Sequence, residues 1–309
     1  MKILLIGAGS VGVYFCGRAA LGGTQVEVVA HREFDKISHE GYFVESIAGN
    51  FTFRPSRVLH SAAEASSDID AVVLATKVLP DIDREALLSP VADFPSKPSI
   101  VLIQNGIGID EPVAEAFPGN ELISVIAYIG ASRKAVNHIV HSGAGRLLMG
   151  IANKGETSRI TDLARCFNAG NVPCEIVPDI ALERWKKLLW NLPFNPVSVL
   201  GGGLNSQELC DGGEIEALCS TLMDEVIAVA NCCSVPLTRA MADEQFEYTR
   251  NFPPYRTSML QDYEAGRPLE VDAIIGNAVK LADLHGVDVP VMRCCASLLR
   301  ALDRKRYEK

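Results

Sequence analysis

This chain has 309 residues, enough for about two domains, and its 48% apolar and 22% charged residues are ordinary for a soluble globular protein. A formal net charge of −9 argues against a general nucleic-acid binder, although it leaves room for a local basic pocket that holds an anion. No apolar run approaches the roughly 18 residues of a membrane span, and the short apolar start is needed as a strand, so we expect neither a membrane helix nor a signal peptide.

The chain opens with a glycine-rich turn. An apolar run over residues 1–6, typical of a buried parallel strand, breaks directly into Gly7-x-Gly9-x-x-Gly12. The first glycine permits a tight turn, the second lets the backbone approach a pyrophosphate, and the third lets the following helix pack closely on the strand. The N-terminus of that helix then faces the anion. We expect cofactor contacts from the whole turn, which comprises Gly7, Ala8, Gly9, Ser10, Val11 and Gly12.

A helix and a second strand are predicted directly after this turn. The helix runs to about Leu21, Gly22 and Gly23 cap it, and the strand extends from Gln25 to Ala30. Strand, turn, helix and strand therefore fit within about 30 residues. This context favours a dinucleotide-binding turn over a glycine-rich turn that binds nothing.

The tip of the second strand indicates which nicotinamide cofactor binds. An Asp or Glu there hydrogen-bonds the ribose 2′-hydroxyl of NAD(H), whereas a basic residue accommodates the 2′-phosphate of NADP(H). Residues 28–32 read Val-Val-Ala-His-Arg, and Arg32 can pair with phosphate through two hydrogen bonds. We predict NADPH/NADP+ as the cofactor and Arg32 as one of its ligands. Glu33 lies close enough to keep NAD(H) open, and a solvated surface arginine is the alternative interpretation.

Further strands and helices alternate through the first half of the chain. Strand-like runs recur at Ala71 to Thr76, Ser99 to Gln104, Leu122 to Ile129, Arg146 to Ile151 and Cys174 to Val177. This alternation predicts a doubly wound α/β domain. From about Asp179 the pattern changes to long helical periodicities, such as Glu214 to Cys232 and Val271 to His285. We expect a Rossmann-type NADP(H)-binding domain over residues 1–178 and a mainly α-helical substrate and catalytic domain over residues 179–309.

Two spaced polar sets stand out in this second half. In the first, Lys187, Asn191 and Asn195 recur at intervals of four, so a helix stacks one ammonium and two carboxamides on a single face. In the second, Ser258 begins the run Ser-Met-Leu-Gln-Asp, and Glu270 lies beyond it. Pro193 cannot donate to the carbonyl of the residue four positions earlier, so we expect the first helix to kink between the two asparagines.

These pieces, in this order and at this spacing, resemble the ketopantoate reductase (2-dehydropantoate 2-reductase) family from the first residue to nearly the last. The resemblance rests on the glycine turn, on Lys77 after one strand, on residues 104–108 (Gln-Asn-Gly-Ile-Gly) after a later strand, and on the two polar sets. The glycine turn is generic, whereas the polar sets at their own spacing are specific. One departure follows Lys77, where residues 78–81 read Val-Leu-Pro-Asp and many relatives are expected to carry a glutamine.

The resemblance implies a reductase that passes a hydride from NADPH to the C2 carbonyl of ketopantoate, a branched 2-keto acid, in pantothenate biosynthesis. Lys187 matches the family's catalytic lysine, which would act as the general acid that delivers a proton to the carbonyl oxygen. Glu270 matches its acidic partner, with roles in catalysis and cofactor binding. The alternatives are a solvated helix lysine and a carboxylate at a helix N-terminus.

By the same residue-by-residue match, Asn191, Asn195 and Ser258 would bind the substrate. Lys77 matches a cofactor-binding position, and Asn105 matches a position that contacts both cofactor and substrate. Both residues lie just past the C-termini of predicted strands, where open α/β sheets bind ligands. A simple turn is the alternative for Asn105 and the glycine after it.

Three other functions stay open. A sibling enzyme could use the same lysine on another branched or aromatic 2-keto acid. A β-hydroxyacid dehydrogenase also pairs a lysine with an asparagine four residues on, but its glycine-rich substrate segment is not found after the nucleotide-binding half. A non-catalytic NADP(H)-sensing protein is the competing class, and the presence of both Lys187 and Glu270 argues against it.

The cysteine and histidine patterns do not indicate a metal. The nine cysteines include no Cys-x-x-Cys and resemble neither a disulfide framework nor a zinc site, so we expect a cytoplasmic protein. His138-x-x-His141 could chelate a metal on a helix, but hydride transfer of this kind needs none. The expected partner is the small-molecule 2-keto acid, with no nucleic acid and no membrane. The sequence is silent on oligomeric state, for which a homodimer is one candidate.

Overall fold

The computed structural model describes residues 1–153 and 158–307, without the side chains of residues 32, 158, 306 and 307. This part of the chain divides into two compact units. The first comprises Met1–Gln104 and Asp110–Ile180, and the second comprises Asn105–Ile109 and Ala181–Lys309. The short segment Asn105–Ile109 thus interrupts the first unit and belongs to the second. The single domain boundary predicted after residue 178 does not include this interruption.

A ten-stranded sheet is the centre of the first unit in the described part of the chain. Its strands are β1 (Lys2–Ile6), β2 (Gln25–Val29), β3 (Tyr42–Ser46), β4 (Phe51–Phe53), β5 (Arg57–Leu59), β6 (Ala71–Leu74), β7 (Ser99–Ile103), β8 (Leu122–Ala135), β9 (His138–Ile151) and β10 (Cys174–Ile176). The strand order is β4-β3-β9-β8-β7-β6-β1-β2-β5, and β10 pairs with β9. The run from β8 to β5 is parallel throughout, which is the sheet of a Rossmann-type fold.

Helices cover both faces of this sheet. They are α1 (Ser10–Leu21), α2 (Phe34–Glu40), α3 (Arg84–Ala92), α4 (Glu111–Ala116) and α5 (Ser158–Ala169). Ile3 and Leu5 pack in one apolar cluster with residues of α1 and α5, whereas Leu4 and Ile6 pack in another with residues of α3 and α4. Successive residues of a strand point to opposite faces, so an uninterrupted apolar run is what a sheet covered on both sides requires. The predicted doubly wound α/β class is confirmed.

The second unit is helical apart from its loops. Its helices are α6 (Ile180–Leu200, whose first residue closes the first unit), α7 (Glu214–Cys232), α8 (Arg239–Arg250), α9 (Ser258–Glu264), α10 (Asn277–His285) and α11 (Pro290–Tyr307). The periodic stretch predicted from Val271 to His285 is a π-helical segment, Asp272–Gly276, that continues directly into α10. One apolar cluster joins these helices, and Ile107 of the interrupting segment lies in it. None of the helices in the described ranges has the length and apolar character needed to cross a membrane.

Two parts of the fold differ from the sequence-based expectation, and a third expectation stays open. Strands β3, β4 and β5 were not predicted, because they are short and mix exposed with buried positions. Strands β8 and β9 extend well beyond the predicted runs and form a long antiparallel ribbon. Pro193 lies inside α6, which nevertheless continues to Leu200, and the bend expected there stays a prediction.

The metal-chelating interpretation of His138-x-x-His141 required a helix, but the structure places both residues on β9. Residues three apart on a strand point to opposite faces, so the two rings do not converge. His138 pairs with Glu45 at 3.0 Å, and the buried His141 accepts or donates a hydrogen bond with the hydroxyl of Ser46 at 2.8 Å. No group of side chains suited to hold a metal ion occurs in the ranges that the structure describes.

Candidate active site

In the glycine turn between β1 and α1, the packing of the protein requires glycine at two of the three glycine positions but not at the third. Gly7 has φ +91°, and a Cβ there would overlap the amide nitrogen of Thr76. A Cβ on Gly12 would lie 2.7 Å from the carbonyl oxygen of Gly7. At Gly9, by contrast, a Cβ would meet no described atom within 4 Å. Gly7 and Gly12 are therefore needed for packing, whereas Gly9 keeps a space open on the surface of the turn.

The start of α1 is suited to an anion. Gly9 is its N-cap and offers no side-chain hydrogen bond, and the first turn of the helix has no acidic residue. The first N–H groups of a helix have no partner within it and carry partial positive charge. Together with the open space at Gly9, this geometry fits the close approach of a dinucleotide pyrophosphate.

Two more predicted cofactor ligands belong to this unit. Lys77 follows β6, and the preceding Thr76 packs on Gly7, so Lys77 lies at the same edge of the sheet as the turn. The amide of Gln104, at the end of β7, donates to the carbonyl of Thr76 at 2.8 Å and fixes this loop. Arg32 lies in the 3-10 turn His31–Glu33, but its side chain is outside the described part of the chain.

In the second unit, Lys187 of α6 is bound to Asn105. The Lys187 ammonium donates a hydrogen bond to Oδ1 of Asn105 at 2.8 Å. The pKa of Lys187 is lowered from its usual 10.5 to about 7, mainly by burial and next by the Arg184 guanidinium, whereas the Glu270 carboxylate acts to raise it. A lysine with a pKa near neutrality can release and take up a proton under physiological conditions, which a solvated helix lysine does not do.

Arg184 was not identified from the sequence, although it lies one helical turn before Lys187 on the same face of α6. It is 6% exposed, and its Nη1 donates to the carbonyl oxygen of Gly106 at 3.2 Å. The signal that could have found it is an arginine one helical turn before Lys187, on the helix face that also carries Asn191 and Asn195. Arg184 thus places a buried positive charge beside Lys187 and also holds the segment that carries Asn105.

The segment Asn105–Ile109 is further bound by the π-helical segment and by α10. The amide nitrogen of Ile107 donates to the carbonyl of Ala273 at 3.2 Å, and the side chain of Asn277 donates to the carbonyl of Ile107 at 2.8 Å. Gly106 has φ +100°, and a Cβ there would overlap the Ala273 carbonyl oxygen. The glycine is therefore required for this close approach, and the simple-turn interpretation of Asn105-Gly106 does not explain it.

The first polar set divides into residues with different roles. Asn191 and Asn195 are both buried, and Asn195 is fully so. Oδ1 of Asn195 accepts from the amide nitrogen of Met259 at 3.0 Å and from the Ser258 hydroxyl at 3.3 Å, while its Nδ2 donates to the Asn191 carbonyl at 3.0 Å. The expected direct contact of Asn195 with substrate stays a prediction. In this structure Asn195 holds the start of α9, where Ser258 is exposed.

Glu270 precedes the π-helical segment and is partly buried. Its carbonyl accepts from the amide nitrogen of Ile274 at 3.2 Å, so it also lies at the beginning of a helical segment, as the alternative interpretation expected. The preceding loop is held by Arg267, whose Nε is 2.7 Å from a carboxylate oxygen of Asp262. The Glu270 carboxylate raises the pKa of Lys187, so these two groups interact electrostatically.

Comparison with known proteins agrees with this arrangement. Residues 3–154 match the family described as Ketopantoate reductase PanE/ApbA, and residues 179–303 match its C-terminal part. The chain belongs to the ketopantoate reductase family. Members of this family are oxidoreductases that act on CH–OH groups, and the family uses NADPH.

Individual members of the ketopantoate reductase family cover nearly the whole chain. A 2-dehydropantoate 2-reductase of Nostoc sp. (strain PCC 7120 / SAG 25.82 / UTEX 2576) is 30% identical over 98% of this chain and 95% of its own length. The crystal structure of 2-dehydropantoate 2-reductase from Methylococcus capsulatus is 36% identical, with a TM-score of 0.92 over 99% of this chain and 98% of that one. A structure from Geobacter metallireducens is 28% identical, with a TM-score of 0.89 and coverage of 97% and 99%.

Proposed function

We propose that this protein reduces 2-dehydropantoate (ketopantoate) to pantoate with NADPH, in pantothenate biosynthesis, with Lys187 as the general acid. The observation that carries the proposal is the Lys187 ammonium, hydrogen-bonded to Asn105 at 2.8 Å and brought to a pKa of about 7. Membership of the family and relatives named 2-dehydropantoate 2-reductase support the substrate.

When bound, NADPH supplies a hydride to the C2 carbonyl carbon of the 2-keto acid. Negative charge then develops on the carbonyl oxygen, which takes a proton from Nζ of Lys187 to give the hydroxyl group of the product. Lys187 regains its proton from solvent before the next turnover. Since the pKa is about 7, a substantial fraction of the Lys187 side chains is protonated at neutral pH, and transfer of this proton to the more basic alkoxide is favourable in free energy.

The neighbouring groups keep Lys187 in place and adjust its charge. Asn105 accepts a hydrogen bond from the Lys187 ammonium and so helps to fix its position. Glu270 raises the pKa of Lys187 against the effects of burial and Arg184, and so preserves the protonated form that reduction requires. We propose Ser258 and Asn191 as substrate ligands and Asn195 as the residue that positions Ser258.

The cofactor preference is part of the same proposal. The turn of Gly7, Ala8, Gly9, Ser10, Val11 and Gly12 would hold the pyrophosphate, since Gly9 leaves space for it and the α1 N-terminus lacks a side-chain cap. Arg32 would pair with the 2′-phosphate of NADP(H), and Lys77 would contact the cofactor at the neighbouring strand end. Asn105 and Glu270 are further proposed cofactor ligands.

The test is a steady-state assay of NADPH oxidation with ketopantoate, beside a panel of branched and aromatic 2-keto acids and with NADH as control. Strong preference for ketopantoate with NADPH supports the proposal. Activity on other 2-keto acids alone would assign the protein to a sibling reductase, and no turnover with any of them would favour the NADP(H)-sensing alternative.

Lys187→Met gives the residue-level test. It should lower kcat by at least about a thousandfold, the range expected for loss of a general acid together with its electrostatic effect. Lys186→Met is the matched control, because Lys186 lies next to it on α6 and is paired with Glu183 at 2.7 Å. Equal losses in both variants, or near-normal turnover of Lys187→Met, would remove Lys187 from the mechanism.

The partner of the enzyme is the small-molecule 2-keto acid. A homodimer and a cytoplasmic location stay predictions. Sedimentation velocity of the full chain at several protein concentrations checks the first, and fractionation of cells that express it checks the second.

A further inference from the structure

Glu33 presents a difficulty for NADPH. It lies at the end of the 3-10 turn that follows β2, about 20 residues beyond the glycine motif, where an acidic residue normally binds the ribose 2′-hydroxyl of NAD(H). A carboxylate with a free charge at this place would repel a 2′-phosphate. The preference for NADPH therefore depends on how the charge of Glu33 is compensated.

The compensating group comes from a distant part of the chain. Strand β8 extends six residues beyond the predicted run, to Ala135, and so brings Arg133 to the end of β2. Nη1 of Arg133 lies 2.9 Å from Oε1 of Glu33, and Nη2 lies 3.1 Å from Oε2. Both carboxylate oxygens are engaged by one guanidinium, which is the strongest ion-pair geometry that a protein offers.

The same guanidinium is bound to the glycine turn. Nη2 of Arg133 also donates to the carbonyl oxygen of Ala8 at 2.6 Å. The hydroxyl of Ser10 donates to the carbonyl of Ala131, two residues earlier on β8, at 3.3 Å. Arg133 therefore joins the glycine turn to the acid at the end of β2, and its guanidinium is held by the Ala8 carbonyl as well as by Glu33.

The ion pair of Arg133 and Glu33 lies in a partly buried region, where charges interact more strongly than in water. The Arg133 and Glu33 side chains are only 32% and 25% exposed. Tyr42, which is fully buried, has its pKa raised by burial and then by Glu33, whereas Arg133 lowers it. Both charges thus act through a poorly hydrated region, where an uncompensated carboxylate interacts more strongly with a second anion than it does in water.

We propose that Arg133 determines the preference for NADPH over NADH by holding both carboxylate oxygens of Glu33 in an ion pair. Compensated in this way, Glu33 neither repels a 2′-phosphate nor accepts a hydrogen bond from a ribose 2′-hydroxyl. This inference rests on the proposed use of NADPH and adds the residue that makes that use compatible with Glu33. Arg133 is a positioning residue in this role, because it acts through Glu33.

The experiment measures equilibrium dissociation constants of the full chain for NADPH and NADH by titrating the fluorescence of the reduced nicotinamide. Adenosine 2′,5′-bisphosphate and AMP serve as competing probes that differ in the 2′-phosphate and lack the nicotinamide. Arg133→Met frees Glu33 and should lower the affinity ratio of NADPH to NADH by about tenfold or more. The double variant Arg133→Met with Glu33→Gln should recover the wild-type ratio within about threefold, since the repelling charge is gone.

Lys134→Met is the matched control. It removes the same charge one residue along β8, from an exposed lysine that pairs with Glu45 at 3.5 Å, and should leave the ratio unchanged. Glu33→Gln alone keeps Arg133 and removes the charge of Glu33, so its affinity ratio of NADPH to NADH should equal or exceed that of the wild type. This variant tests the inference even where Arg133→Met folds poorly.

Two results would overturn the inference. The first is an unchanged ratio in Arg133→Met, and the second is a double variant with a ratio as low as that of the single variant, since Arg133 would then act without Glu33. A wild-type protein that binds NADH as well as NADPH would overturn the cofactor proposal itself and this inference with it. The wild-type measurement alone therefore separates the two failures.

Discussion

Removal of the Arg184 charge should move the pH dependence of reduction toward higher pH. Arg184 and Lys187 are one helical turn apart on α6, so their Cβ atoms are about 5–6 Å apart. With the same separation taken for the two charged groups, they repel by about 1–3 kcal/mol when the effective dielectric constant is between about 80 and 20. Since one pKa unit corresponds to about 1.4 kcal/mol, loss of the Arg184 charge should raise the pKa of Lys187 by about one unit.

The direction follows from the role of Lys187 as an acid. Reduction requires the protonated ammonium, so kcat is highest below a pH of about 7 and falls as the pH rises above the pKa of Lys187. In Arg184→Met this decline should begin about one pH unit higher. The pKa should still remain below 10.5, because burial, the largest cause of the shift, is unchanged.

The assay is the initial rate of NADPH oxidation at saturating substrate, measured from pH 5.5 to 10 for wild type, Arg184→Met and Arg184→Lys. Arg184→Lys keeps the charge and should keep the wild-type profile, even if loss of the hydrogen bond to Gly106 lowers kcat. Lys186→Met removes a charge that is already paired and should not move the profile. A lower kcat with an unmoved decline in Arg184→Met would refute the electrostatic reasoning and leave Arg184 with a structural role only.

Three further predictions follow from the geometry. Glu270→Gln should shift the same decline to lower pH, because Glu270 raises the pKa of Lys187, and the pH profile checks this against the opposite shift of Arg184→Met. Gly106→Ala should lower the free energy of unfolding by more than about 2 kcal/mol, since the Cβ overlaps the Ala273 carbonyl and φ is +100°. Gly9→Ala is the matched comparison: it should leave urea unfolding unchanged and weaken NADPH binding in a fluorescence titration. Asn195→Ala should cost about 2–3 kcal/mol in urea unfolding, because it leaves buried partners without hydrogen bonds, and a stability within 0.5 kcal/mol of wild type would contradict the role assigned to Asn195.

Local patterns predicted the parts of the fold that depend on local chemistry. The glycine turn was recognised because Gly7, Gly9 and Gly12 recur at a fixed short spacing between one strand and one helix, although Gly7 is required by its contact with the distant Thr76. The contact of Lys187 with Asn105 joins residues 82 positions apart, so spacing alone could not supply it, and only the resemblance to a family placed both residues in one site.

Other features that depend on contacts between distant residues were also missed, because spacing along the sequence does not reveal such contacts. Arg133 reaches Glu33 across 100 positions, through a strand whose outer half is polar and partly exposed and therefore lacks the apolar signal of a buried strand. The π-helical segment has the apolar periodicity of an ordinary helix, so neither its wider turn nor the hydrogen bond that its Ala273 carbonyl accepts from Ile107 could be predicted from the sequence. The burial of Asn195 follows from the packing of α9, which its position in the sequence does not reveal.

The interruption of the first unit by Asn105–Ile109 has a consequence for protein engineering. A fragment that starts at residue 179 would lack Ile107 from its apolar core and would lose the backbone groups that Arg184 and Asn277 bind. Chimeras that exchange the helical half between two reductases should therefore carry these five residues from the same parent as that half. On the ribosome the segment emerges long before the helices that receive it, so the second unit completes its core only by recruiting a stretch of chain that was synthesised earlier.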